Sequence, residues 1–195
     1  VRTGIVDVVR PDGPSGLPDD EITMAELLHD QGYATLAVGK WHLGDQVEYL
    51  PTRHGFDHYF GLPYSMDMLP TILYRDEQII EELPGDKVAD ITERYTHEAV
   101  QFIRAHREQP FFLYLSHTIP HPPLNIPDAE EQDDRPIYDL AIEYLDRQTG
   151  VLLEELQQLG LADNTLVVFT SDNGPMSRGG DTGGLRGRIR DSYEG

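Results

Sequence analysis

A chain of 195 residues is long enough for one domain with a buried core, although its 38% hydrophobic content is on the low side for a globular protein. Its 35 acidic and 15 basic residues leave a formal charge of −20, which excludes nucleic acid as a partner and broad electrostatic capture of a sulfated polymer; an anionic substrate would need a local positive site, a metal or both. The absence of cysteine excludes a disulfide framework, a zinc–thiolate site and a thiol nucleophile within these residues, and no apolar run approaches the ~20 residues of a membrane span.

Residues 7–20 carry Pro11, Gly13, Pro14, Gly16 and Pro18 and read as a loop. A short helix follows, with Thr23 as its cap, Ala25, Leu27 and Leu28 facing inward and Gly32 as its stop. Residues 34–38 are apolar and partly β-branched, which predicts a buried strand. That strand runs into Gly39-Lys40-Trp41-His42-Leu43-Gly44. Residues two apart on a strand share a face, so Lys40 and His42 project together from its C-terminal end, where open α/β sheets place their sites. A fixed ammonium charge beside a group that titrates near neutrality suits a tetrahedral anion. Taken alone, the same pattern is satisfied by a lysine in solvent and a histidine on a backbone carbonyl.

From Asp45 to Lys87 the sequence is rich in Gly, Pro and aromatic residues. His54 and His58 have the spacing of a helical metal pair, but Pro51, Gly55 and Gly61 argue against a helix there. Ser65 reads as one loop hydroxyl. Asp90-Ile91-Thr92-Glu93 has the form of a capping box, and Tyr95, Ala99, Phe102, Ile103 and His106 continue it as one apolar helical stripe. After Pro110, the run Phe111-Phe112-Leu113-Tyr114-Leu115-Ser116 predicts a central buried strand. His117 and His121 follow at once, among Pro120, Pro122 and Pro123, which stiffen the backbone by fixing φ.

The acidic stretch at 128–134 reads as a solvated loop, and a second long helix is expected from Pro136 to Leu159, with Glu143 and Asp146 on its wet side. Residues 166–170, Leu-Val-Val-Phe-Thr, predict a third buried strand leading into Asp172-Asn173-Gly174. A carboxylate and an amide carbonyl are hard oxygen donors that suit calcium or magnesium, although D-N-G alone is also a common tight turn. Arg178, Arg186, Arg188 and Arg190 then reverse the local charge, and guanidinium groups suit sulfate or phosphate.

Four segments occur in one order along the chain: residues 39–44, Gly61-Leu62-Pro63-Tyr64-Ser65, residues 116–124 and Phe169-Thr170-Ser171-Asp172-Asn173-Gly174-Pro175. Together they resemble the sulfatase family of the alkaline-phosphatase superfamily, a likeness that runs from Val1 to Gly195. The resemblance implies a three-layer α/β/α sandwich with a central, mostly parallel mixed sheet, and a partial sulfatase catalytic domain over 1–195 with both ends cut. It implies catalytic roles for Lys40, His42 and His121, contact of Ser65 with the sulfate ester, and calcium (magnesium being possible) on Asp172 and Asn173. The nucleophile, a Cys or Ser oxidised to formylglycine in a motif continuing x-Pro-x-Arg, is expected just ahead of Val1, and the 195 residues alone are expected not to turn over. The implied partner is a small-molecule or glycan sulfate ester, and a periplasmic, extracellular or lysosomal location is a family expectation. Ile189 stands where the family has a sulfate-binding Lys, so Arg188 or Arg190 substitutes or the anion is held more weakly. A phosphoesterase or phosphonate hydrolase of the same fold, and a non-catalytic relative, are the rival readings.

Overall fold

The apolar run at 34–38 does become the middle of a sheet. In the computed structural model, which describes residues 3–84, 88–127, 136–175, 180–189, 191 and 193, strand β1 (Ala34–Lys40) is buried from Ala34 through Gly39. It is joined by β2 (His58–Leu62), β3 (Thr71–Arg75), β4 (Gln78–Leu83) and β5 (Phe111–Ser116), in the order β4-β3-β2-β1-β5. β1 runs parallel to both β2 and β5, whereas β2–β3 and β3–β4 are antiparallel. The expected mixed sheet is therefore present, with its parallel half around β1. A strand flanked on both sides must be apolar on both faces, which is why β1 reads as a continuous rather than an alternating run.

The helices are α1 (Met24–His29), α2 (Ile91–Ala105) and α3 (Ile137–Gln158). Leu36, Val38, Phe60, Leu62 and Leu73 pack on one face of the sheet with Tyr95 and Phe102 of α2 and Ala141, Tyr144 and Leu145 of α3. Ala37, Tyr59, Tyr74 and Phe112 pack on the other with Ala25 of α1, Phe56 and Trp41. This is the α/β/α layering, with the second helical layer thin. Arg104 grips Glu155 through two bonds of 2.7 Å and ties α2 to α3.

Three details of the local reading change. Thr23 forms a full capping box with Glu26, as its residue type allows, but the box expected at Asp90 is absent: Asp90 has helical φ and ψ (−87°, −3°) and its side chain accepts no capping bond. An N-cap side chain reaches the first-turn amides only from an extended backbone, which Thr23 has (−90°, 161°). Leu27 is exposed rather than inward, because a helix of six residues offers the core little more than Ala25 and part of Leu28. Strands β2 to β4 occupy much of the Gly-, Pro- and aromatic-rich stretch, whose short strands are separated by turns.

The third expected strand does not form. Residues 166–170 carry no strand assignment, and Leu166, Val167, Val168 and Phe169 are 89%, 53%, 74% and 74% exposed. Apolar, β-branched composition favours a strand only where a neighbouring ladder accepts it, and among the described residues this segment pairs with none.

Candidate active site

The C-terminal ends of β1, β2 and β5 lie in register, with Gly39 beside both Gly61 and Ser116 and Lys40 beside Leu62. Close approach here depends on glycine. Gly39 has φ +107°, and a Cβ on it would run into the Ser116 carbonyl; a Cβ on Gly61 would run into the carbonyl of Gly39. The Ser116 hydroxyl then donates to the Lys40 carbonyl at 2.6 Å and latches β5 to the end of β1.

Beyond Lys40 the ladder continues, with the Trp41 amide on the Leu62 carbonyl (3.0 Å) and the His42 amide on that of Pro63 (2.9 Å). Trp41 is fixed by its indole N–H on the Tyr49 carbonyl (2.7 Å) and by ring contacts with His54 and Phe56. His42 sits in the left-handed region (φ +60°), which costs a non-glycine residue ~1–3 kcal/mol and persists only where the surroundings fix it. Its Nε2 lies 3.2 Å from the Val9 carbonyl, and its ring meets Tyr64 edge-on. A carbonyl only accepts, so Nε2 carries the proton and Nδ1 keeps a free lone pair.

The same edge of the sheet brings in the other two groups. Ser65 is 4% exposed, and its Oγ lies 3.2 Å from His121 Nδ1, 56 residues later in the chain. His121 Nδ1 is also 2.6 Å from the Pro122 carbonyl. Lys40, His42, Ser65 and His121 thus lie near one another at this end of the sheet. Burial, reinforced by the charge of Lys40, holds the His42 imidazole below the usual histidine range, so it is neutral at pH 7. Burial likewise lowers the Lys40 ammonium, opposed by the carboxylates of Asp172 and Asp67.

Asp67 is a member of this cluster that residue-by-residue reading passed over. Burial alone would raise its carboxyl, yet the Ser65 hydroxyl, its own backbone N–H and the charges of His121 and Lys40 hold it below the usual carboxylate range. Its position two residues after Ser65, in a turn closed by the Met68 amide on the Ser65 carbonyl (3.0 Å), was the available signal.

The metal donors are less gathered. Asp172 acts electrostatically on Lys40 and on Tyr114, which places its charge by the site. Asn173 uses its side-chain N–H on the Gly174 carbonyl (2.9 Å), leaving its amide oxygen as a donor. No group of three potential His, Cys, Asp or Glu ligands forms among the described residues. A carboxylate and an amide oxygen fit a hard cation such as calcium as part of a coordination shell. The Ile189 amide reaches the Pro175 carbonyl (3.1 Å) and brings the Ile189 segment alongside this loop. Arg188 is described, with its amide on the Asp191 carboxylate, whereas Arg178, Arg190 and the acidic stretch at 128–134 lie outside the described residues.

The remaining histidines take structural places. His54 is fully buried against Trp41, and His58 pairs with Asp76 at 3.2 Å, so the two form no metal pair. The Nδ1 of His117 is buried without a hydrogen-bond partner, and burial pushes its pKa down to about 4. A cleft of about 450 Å³ lined by His29, Asp57, His58 and His106 opens at the start of β1, the opposite end from Lys40.

The model of the Sulfatase family matches residues 2–195. The chain belongs to the sulfatase family. Among curated relatives it is 38% identical to N-acetylgalactosamine-6-sulfatase of Mus musculus, over 82% of this chain and 34% of the relative, and 33% identical to arylsulfatase A of Homo sapiens, over 100% of this chain and 45% of the relative. Among solved structures it resembles Ps i-CgsB, also crystallised in complex with k-i-k-neocarrahexaose, at 31% identity and a TM-score of 0.76, covering 92% of this chain and 46% of that one. The PsFucS1 sulfatase from Pseudoalteromonas sp. is similar at 27% identity and a TM-score of 0.76, over 90% of this chain and 42% of that one. The chain thus spans a third to under a half of the length of these relatives and structural neighbours, and the structural likeness is to the alkaline-phosphatase-like fold.

Proposed function

We propose that this chain forms the cationic, proton-transferring wall of an active site that hydrolyses a sulfate monoester, within a longer protein that supplies the nucleophile. The observation that carries this reading is the convergence of Lys40, His42, Ser65 and His121 at one end of the parallel strands, in a chain of the sulfatase family. Support for a sugar sulfate as substrate comes from relatives named for N-acetylgalactosamine 6-sulfate and from the carrahexaose bound to a structural neighbour.

In this proposal a formylglycine elsewhere in the longer protein would supply the nucleophilic hydroxyl, and calcium, with magnesium as the alternative, would supply polarisation of the sulfate oxygens. Asp172 and Asn173 would hold part of that ion's shell. Lys40 neutralises sulfate charge in a pocket where the chain as a whole, at −20, would repel it. His42, neutral and with Nδ1 free, takes a proton from a reacting hydroxyl. His121 keeps Nδ1–H on the Pro122 carbonyl and delivers a proton from Nε2 to the ester oxygen as the sulfur–oxygen bond breaks. The 195 residues by themselves lack the nucleophile this scheme requires.

The test is His121→Ala in the full-length protein. A general acid matters most for a poor leaving group, so kcat on a sugar sulfate should fall ~10²–10⁴-fold, and on an activated aryl sulfate about tenfold or less. Equal losses on both substrates would refute the role of His121, and absence of any sulfate release by the unaltered protein would refute the function.

A further inference from the structure

The carbonyl that holds His42 adjoins a turn that is itself anchored by the loop following His42. Arg10-Pro11-Asp12-Gly13 closes with the Gly13 amide on the Arg10 carbonyl (3.0 Å), directly after Val9, whose own carbonyl lies 3.2 Å from His42 Nε2. Pro11 presets the first corner of this turn, and Asp12 at the second has φ +57°, where glycine or asparagine is usual. The turn's own bond leaves the Asp12 amide unused, and that amide donates to Asp45 Oδ2 at 2.9 Å. Gln46 Nε2 donates to the Gly13 carbonyl at 2.8 Å. Asp45 and Gln46 stand three and four residues after His42, so one loop carries both the imidazole and the two groups that hold its acceptor. His42 is left-handed as well (φ +60°), and among the described residues its ring has the Val9 carbonyl as its hydrogen-bond partner.

We propose that Asp45 and Gln46 are positioning residues that clamp the 10–13 turn, keep the Val9 carbonyl on His42 Nε2–H and so hold the ring with Nδ1 left for the reacting hydroxyl. The clamp is local. Farther along, the Leu17 amide on the Leu43 carbonyl (2.8 Å) and the Tyr49 hydroxyl on the Pro14 carbonyl (3.2 Å) attach the same segment independently. Loss of the two side chains therefore frees the turn and Val9 without detaching residues 14–17. Asp45 is half-buried and Gln46 exposed, so neither carries core packing. The kinetic consequence rests on the sulfate-hydrolysis reading; the held imidazole does not.

The experiment compares the full-length protein, labelled with ¹⁵N in histidine and tryptophan, as wild type, Asp45→Ala/Gln46→Ala and Asp45→Asn. At pH 7 the wild type should show a His42 imidazole N–H proton signal, slowed in its exchange with water by the bond to Val9, and long-range ¹H–¹⁵N spectra should place it on Nε2. The double variant should lose that signal to exchange, and kcat for sugar sulfates should fall about tenfold with KM unchanged. Asp45→Asn keeps an acceptor oxygen for the Asp12 amide and should retain both the signal and the rate. The Trp41 indole N–H, held by the Tyr49 carbonyl in the same loop, should persist throughout. A protected His42 N–H that survives in the double variant, its absence from the wild type, an Asn variant as impaired as the double, or joint loss of the Trp41 signal would each overturn the proposal. Loss of the His42 signal in the variant of a protein that releases no sulfate would uphold the clamp and refute the sulfatase reading, so the two failures are distinguishable.

Discussion

His117 makes the stability of this chain sensitive to acid in a calculable way. Its Nδ1 is sealed from solvent without a partner, and burial lowers its pKa from the usual 6.5 to about 4, with no neighbouring charge contributing. The folded state therefore binds this proton less readily than the unfolded one. Stability contributed by neutral His117 is present above 6.5 and is lost as pH falls toward 4. At ~1.36 kcal/mol for each pH unit between the two values, the loss amounts to about 3 kcal/mol, an upper figure because the rest of the ring keeps some exposed surface. The perturbation is His117→Leu, which removes the titration while keeping an apolar side chain. Urea unfolding followed by the fluorescence of Trp41, the single tryptophan, would be measured from pH 8 to pH 4. Carboxylates and the lowered His42 and His54 also contribute to the acid limb, so the difference between wild type and variant is the quantity to read. It should shrink, or reverse in favour of the variant, by about 2–3 kcal/mol across that range. Parallel curves would refute the argument.

Two further substitutions probe the frame that holds the site. Gly39→Ala places a Cβ against the Ser116 carbonyl at a φ of +107°, and steric overlap plus backbone strain should cost about 3 kcal/mol or more, seen as a lost urea transition or insoluble protein; a cost below ~1 kcal/mol would show that β1 and β5 can part there. Thr23→Ala removes both the capping bond to the Glu26 amide (3.1 Å) and the bond from the Thr23 hydroxyl to the His54 carbonyl (2.9 Å); about 1–2 kcal/mol should be lost in urea unfolding, and an unchanged midpoint would mean α1 contributes nothing to holding the Trp41 side of the sheet.

Much of the architecture was legible because β1, β5, α2 and α3 each carry a strong pattern of their own, although β5, expected to be central and buried, is the partly exposed edge strand among the described residues. β1 and β5 are dense apolar runs ending at punctuating residues, and α2 repeats its buried residues at helical spacing. β2 to β4 were hidden for a physical reason: they are short, and β4 has five consecutive solvent-facing or partly exposed residues before Leu83 closes onto the core. Residues 166–170 failed in the opposite direction, since composition favours a strand while pairing depends on a neighbour that sequence periodicity does not specify. At the site, Lys40 and His42 could be joined by strand spacing alone, but the meeting of Ser65 with His121 across 56 residues needed the parallel registers of β1 with β2 and β5. Asp67 was missed because a carboxylate beside an anion site looks like a liability until its turn, closed by the Met68 amide on the Ser65 carbonyl, sets it by Ser65.

The most direct measurement is the release of inorganic sulfate by the full-length protein from a panel of sugar sulfates, with matched phosphate monoesters alongside, in calcium and in chelator. The expected result is sulfate release that depends on Lys40 and His121, falls on chelation and exceeds phosphate release by orders of magnitude. Preferential hydrolysis of the phosphate esters, or no ester hydrolysis at all in calcium, would contradict the account.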